Sequence, residues 1–219
     1  MIIRTGNYLV KLKGDTRTVP DERCEVVVSD RTKVILLNGP PGCGKDELAT
    51  RLLSGNTGAA PQSFKEPLIR LTAELYGIPY LCFGEMCRDR NLKETKSDRL
   101  DGKTPREALI HTSEKVVKPS LGATFFGARA ANRLTREKVN IFSDSGFDQE
   151  VIPLADLVGY GNILLVQILG RGSFSNDSRS YLSTNKHENI ITVHNDGTLG
   201  EYLSNAEAAI KGYGRGFYG

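Results

Sequence analysis

The feature that most constrains this chain is the turn Gly39-Pro40-Pro41-Gly42-Cys43-Gly44-Lys45, set between an apolar run and a helical pattern. Lys33–Asn38 (KVILLN) reads as a buried parallel strand, and Lys45–Leu53 carries Leu48, Leu52 and Leu53 on one helical face. The turn matches G-x-x-x-x-G-K in the strand–turn–helix context that gives the pattern a mechanism. Glycines let the backbone wrap so that successive N–H groups face inward, and a helix N-terminus adds its positive dipole. Such a loop suits the phosphates of a nucleotide, ATP in the first instance, with Lys45 reaching the β- and γ-phosphate oxygens.

The position after the lysine departs from the usual hydroxyl residue: Asp46 stands there, followed by Glu47. A carboxylate still suits Mg2+, which favours oxygen ligands and keeps several waters. Cys43 is small enough for a tight loop, and its place among inward N–H groups predicts a lowered thiol pKa and sensitivity to alkylation. Asp144, at the end of the apolar run Val139–Ser143, is expected to supply a second acidic magnesium contact.

The remaining elements alternate. Residues 1–32 read as an N-terminal extension with short strands at Asn7–Lys13 and Cys24–Ser29. Gln62–Lys65 is expected to be the second strand of the main domain, after a loop over Gly55–Pro61, and Pro67 opens a helix. The charge-dense segment Arg88–Lys103 is expected to be mobile and solvated. Thr104-Pro105-Arg106-Glu107 has the composition of a capping box, and a further helix is expected over Gly122–Arg136. Asp148–Val158 should be helix, Ile163–Leu169 strand, Arg171–Lys186 a basic lid, Asn189–Val193 the last strand and Leu199–Lys211 the closing helix. Strands alternating with helices predict an α/β fold, a three-layer sandwich around a parallel sheet, over 33–211. The tail 212–219 (GYGRGFYG) is expected to fray.

Bulk properties fit this picture. The chain has 219 residues, 39% hydrophobic and 25% charged, with a net charge of +3. That charge gives no case for a nucleic-acid-coating protein, and base stacking by the tail is the weaker reading. The four cysteines, Cys24, Cys43, Cys82 and Cys87, are expected to be free thiols. No apolar run is long enough to span a membrane and the first residues lack a signal-peptide core, so the expected location is cytoplasmic.

Several further segments resemble the phage-type deoxynucleoside monophosphate kinases, relatives of adenylate and guanylate kinases. They are Gly44-Lys45-Asp46, Ser63-Phe64-Lys65-Glu66-Pro67-Leu68, Thr104-Pro105-Arg106-Glu107-Ala108-Leu109, the pair Phe125-Phe126, Asp144 through Glu150, and Asn195-Asp196-Gly197-Thr198-Leu199. The resemblance covers roughly residues 33–211 and implies a P-loop kinase that passes the γ-phosphoryl group of ATP to a nucleoside monophosphate in a cytoplasm, a host's if the chain is phage-encoded. It implies an acceptor site containing Lys65, Arg88, Arg106, Ser113, Phe126 and Glu150. Departures from the family pattern fall at Glu47 (usually threonine), Gly146 (usually arginine), Ile110 (usually glutamine) and Ser113 (usually glycine).

A monophosphate acceptor also suits the chemistry. It presents an anionic oxygen, so its phosphorylation needs alignment and charge neutralisation but no dedicated base. Lys65, Arg88, Arg90 and Arg106 fall in segments expected to border the pocket, and Arg171 and Arg179 in the candidate lid, where guanidinium forks neutralise charge on a transferred group. Arg171 and Arg179 are therefore expected on ATP beside Gly39, Gly42, Cys43, Gly44, Lys45, Asp46 and Glu47. Two alternatives stay open: a kinase of a small hydroxylated metabolite with Asp144 as base, and a nucleotide-binding module that has lost catalysis. The expected partner is the acceptor monophosphate, with no nucleic acid, no membrane and room for a homodimer.

Overall fold

The structure is a computed structural model and describes residues 2–5, 8–11, 31–175, 177–214 and 216–218. Strands β1 (Ile2–Thr5) and β2 (Tyr8–Lys11) pair antiparallel as a hairpin. The expected strand Cys24–Ser29 lies outside the described residues.

The main domain runs through β3 (Lys33–Asn38), α1 (Lys45–Ser54), β4 (Ala59–Gln62), α2 (Lys65–Leu75), α3 (Tyr80–Arg88), α4 (Pro105–His111), α5 (Lys118–Leu121), α6 (Phe125–Ala131), β5 (Val139–Ser145), α7 (Asp148–Val158), β6 (Ile163–Leu169), β7 (Asn189–His194) and α8 (Leu199–Tyr213). Its five strands form a parallel sheet in the order β4-β5-β3-β6-β7. From β3 the chain crosses to β4 and then β5 on one side, and from β5 it passes to β6 and β7 on the other side of β3. The carboxyl end of β3 is thus the topological switch point, where open α/β sheets bind ligands.

Alternation along the strands builds the three layers. Ile35, Leu37, Ile141, Val166 and Ile168 pack with Leu48 and Leu52 of α1 and Ile210 of α8 on one face. Val34, Leu36, Phe142 and Leu165 pack with Val151, Leu154 and Val158 of α7 on the other. Both faces are covered, so the strands read as continuous apolar runs. A smaller cluster of Ala73, Ile78, Phe83, Cys87, Leu100 and Leu109 holds α2, α3 and α4 together beyond the sheet edge.

Several boundaries depart from the sequence expectation. The second strand is Ala59–Gln62, not Gln62–Lys65, and Lys65 begins a helix. Pro61 is tolerated there because β4 is an edge strand, so its missing N–H costs no inner ladder bond. The helix expected over Gly122–Arg136 is confined to Phe125–Ala131. The chain then turns onto buried Asn140, whose side chain accepts from Thr135 N (2.8 Å) and donates to Thr135 O (3.0 Å). The charged segment 88–103 is folded: Leu100 is fully buried, Ser97 pairs with Lys103, and 3-10 turns span Leu92–Glu94 and Asp98–Leu100. The tail is also anchored, with Phe217 fully buried in the α1–α8 layer and Tyr218 donating to Glu207 (3.0 Å). An aromatic side chain with somewhere dry to go outweighs the freedom of its glycine neighbours.

No helix among the described residues is long and apolar enough to cross a membrane.

Candidate functional site

The loop after β3 is tightly wound. Gly42 and Gly44 have φ of 81° and 93°, a region open chiefly to glycine, and a β-carbon on Gly39 would fall 2.7 Å from Cys43 Sγ and 2.8 Å from Ile168 O. Lys45 is buried, and its Nζ donates to Gly39 O and Pro40 O, both at 2.6 Å. From behind, Asn195 Nδ2 donates to Cys43 O (3.0 Å) and Tyr202 Oη to Gly44 O (3.1 Å), tying the loop to the last strand and helix. Burial lowers the Lys45 pKa, and Arg179 lowers it further, while Cys43 and Asp46 oppose the shift.

Cys43 corrects one expectation. It is fully buried, and burial pushes its thiol pKa up, against the opposing effect of Lys45. The alkylation-sensitive thiolate expected from inward N–H groups is absent because the loop folds over the sulfur. Cys82 is the exposed thiol among the described residues.

Asp46 and Asp144, expected to share a magnesium ion, sit with different partners. Asp46 is exposed and accepts from Ser143 Oγ at 2.8 Å. Asp144 is one residue further along β5 and therefore faces the other side of the sheet. Its carboxylate accepts from Ser63 Oγ (2.6 Å), Phe64 N (3.1 Å) and Lys65 N (2.9 Å), capping α2. Among the described residues no group of three or more His, Cys, Asp and Glu side chains converges to hold a metal.

Beside Asp144 a cavity of about 360 Å³ opens between α2, α4, α7 and the segment before β7. Lys65, Lys93, Arg106 and Arg179 line it, facing Asp144 and Glu150 across a floor of Phe64, Phe126 and Phe147. Neither Lys65 nor Lys93 has an ion-pair partner among the described residues. Burial lowers the pKa of both lysines, and they repel Arg106 and Arg179 as well. Arg106 sits in the first turn of α4 behind a complete capping box: Thr104 Oγ1 accepts from Glu107 N (3.1 Å) and Glu107 accepts from Thr104 N (2.8 Å). Its Nε donates to exposed Glu94 at 2.8 Å.

Of the expected acceptor residues, Lys65, Arg106, Ser113, Phe126 and Glu150 line this cavity and Arg88 does not. Arg88 ends α3 on its exposed side, while Cys87 and Phe83 turn inward. Phe126 is 2% exposed, edge-on to Phe125, and belongs to the wall. Phe147, just before α7, is half-buried with Lys118 Nζ 4.7 Å from its ring centre, and offers the more open aromatic face. Ile110 and Ser113, both departures from the family pattern, also border the space. Glu150 is pushed up to about 8, first by burial and then by Asp144, so at neutral pH it is largely the uncharged acid.

Arg171 and Arg179 part company. Arg171 is exposed and donates to Gly197 O at 3.0 Å, joining the loops after β6 and β7 on the far side of β3 from the cavity. Arg179 lies in the cavity wall, gripped by Asp177 through Nε (2.9 Å) and Nη2 (2.7 Å). That fork holds Asp177 down to about 2. The expected lid is stitched to the sheet: Leu182 N donates to Asn38 Oδ1 (2.8 Å), Asn38 Nδ2 to Ser180 O (3.2 Å) and Tyr181 Oη to Ile168 O (2.9 Å).

Sequence reasoning missed Lys93, Ser143, Phe147 and Asp177. Asp177 alone left a local signal, an acidic residue two positions before Arg179. Lys93 is one cation in a charged run, and its inward face follows from the burial of Leu100, a tertiary fact.

No family model matches the chain, and no curated protein matches it. Among solved structures, a gluconokinase from Sinorhizobium meliloti is similar over 81% of this chain and 90% of its own, at 14% identity and a TM-score of 0.41.

Proposed function

We propose that this protein transfers the γ-phosphoryl group of ATP to a nucleoside monophosphate. The observation that carries the reading is the convergence of Lys65, Lys93, Arg106 and Arg179 on one cavity with aromatic walls, at the end of β5, the strand next to the one that carries the Lys45 loop. Lys65 and Lys93, partly desolvated and without ion-pair partners among the described residues, call for an anion, and Phe147 gives a flat apolar surface for a base. The resemblance to phage-type deoxynucleoside monophosphate kinases points the same way.

The division of labour follows from position. Gly39 to Lys45 receive the donor phosphates on backbone N–H groups, and Lys45 exchanges its carbonyl partners for phosphate oxygens. Lys65, Lys93 and Arg106 hold the acceptor phosphate. Arg179 lines the same cavity and is close enough to repel both Lys45 and Lys65, which suits it to charge that accumulates during transfer. Asp46 and Ser143 are the oxygen groups that would hold magnesium, which neutralises phosphate charge and otherwise keeps its waters. Glu47 and Arg171 lie outside the cavity on the donor side.

An acceptor hydroxyl would need a base, and Asp144 is already committed to three donors at the start of α2. A monophosphate needs none. The test is a coupled assay of each ribo- and deoxyribonucleoside monophosphate with ATP and magnesium. Diphosphate should form from at least one. Inert monophosphates alongside a phosphorylated sugar acid or other polyol would sink the reading.

A further inference from the structure

Arg179 lines the cavity, close to both Lys45 and Lys65, and its stem runs across the backbone of residue 146. A β-carbon at Gly146 would lie 2.6, 2.7 and 2.8 Å from Cβ, Cγ and Cδ of Arg179, closer than such carbons approach. These are the root of the side chain, so a clash there cannot be relieved by swinging its far end. Gly146 is itself buried, and its carbonyl accepts from Ser180 N at 3.2 Å, which fixes the two segments against each other. Asp177 then locks the guanidinium from the opposite side with both carboxylate oxygens.

We infer that Gly146 is a positioning residue: its missing side chain is the slot through which Arg179 is delivered to the transferred phosphoryl group. The proposal rests on the phosphotransfer reading for its consequence, and on packing alone for its geometry. Residue 146 and Arg179 then act as one unit, and the segment 177–183 acts as a fixed wall rather than a lid.

The experiment compares Gly146→Ala, Arg179→Ala and the double variant in turnover and in calorimetric binding of ATP and of inorganic triphosphate, a probe that needs no acceptor. Gly146→Ala should lower kcat at least tenfold and weaken the binding of ATP and of triphosphate by a similar severalfold factor. In the Arg179→Ala background the same change should move either quantity less than twofold. Asp177→Asn, which leaves the 146 backbone untouched, should also lower kcat and serves if Gly146→Ala does not fold. Equal losses from Gly146→Ala with and without Arg179, or a kcat within twofold of wild type in both Gly146→Ala and Asp177→Asn, would overturn the inference. Wild-type protein inert toward every monophosphate, yet with triphosphate binding that depends on Gly146 through Arg179, would instead remove the functional reading and leave this one standing.

Discussion

The β3 loop and the cavity beside β5, both at the carboxyl edge of the sheet, are built in opposite ways. On the β3 loop the cation is satisfied internally, with Lys45 wrapped by the carbonyls of Gly39 and Pro40 and the loop pinned from behind by Asn195 and Tyr202. In the cavity beside β5, Lys65 and Lys93 stand half-buried without ion-pair partners among the described residues, and Arg106 pairs with an exposed carboxylate. On the proposed phosphotransfer reading, the buried lysine trades carbonyl contacts for phosphate ones, so donor binding is an exchange. The cavity cations are partly desolvated and repel one another, so on the same reading acceptor binding relieves that repulsion. One side stores its charge in hydrogen bonds, the other in electrostatic strain.

The comparison breaks first at Lys45. Lys45→Ala should lower kcat by about 10²- to 10³-fold, the scale of losing a preorganised charge contact in the transition state, read by steady-state kinetics. The cavity cations come next. Lys65→Ala or Arg106→Ala should raise the KM for the monophosphate about 10- to 100-fold, as loss of a charged hydrogen bond would, and leave the KM for ATP within about twofold. An equal rise in both constants would erase the distinction between the two regions.

Glu150 sharpens it through pH. Its folded pKa of about 8 lies above the ordinary 4.5, so the folded protein holds an extra proton between those values and loses stability as pH rises through them. Glu150→Gln should therefore match wild type near pH 4 and exceed it near pH 8 by up to roughly 4 kcal/mol in denaturant titrations. The smallest effect is expected at Asp144. As a helix cap rather than a base, Asp144→Ala should cost about 1–2 kcal/mol of stability, visible as a lower Tm, with a smaller fall in kcat than Lys45→Ala. A kcat loss larger than that of Lys45→Ala would restore Asp144 as the base of a hydroxyl kinase.

Legibility in the sequence followed the range of the interaction. The capping box at Thr104, the helix Asp148–Val158 and the strand Ile163–Leu169 were all readable, since each depends on neighbours within a few residues. The strand Ala59–Gln62 was not, because Pro61 reads as loop unless its edge position is known. Phe217 sits in a glycine-rich tail whose composition says fray, and the decisive fact is a dry space beside α1 and α8. Arg88 and Lys93 look alike in a charged run, and only the turn around buried Leu100 separates the solvated cation from the cavity one.

By itself the sequence determined an α/β chain with a phosphate-type loop after its first core strand, because glycine spacing and apolar periodicity act locally. The tertiary structure decided which cations share a cavity, which face of β5 carries Asp144, and that Gly146 admits Arg179. Those outcomes depend on segments dozens of residues apart, where side chains compete for the same space and charges feel partners that no local pattern reveals.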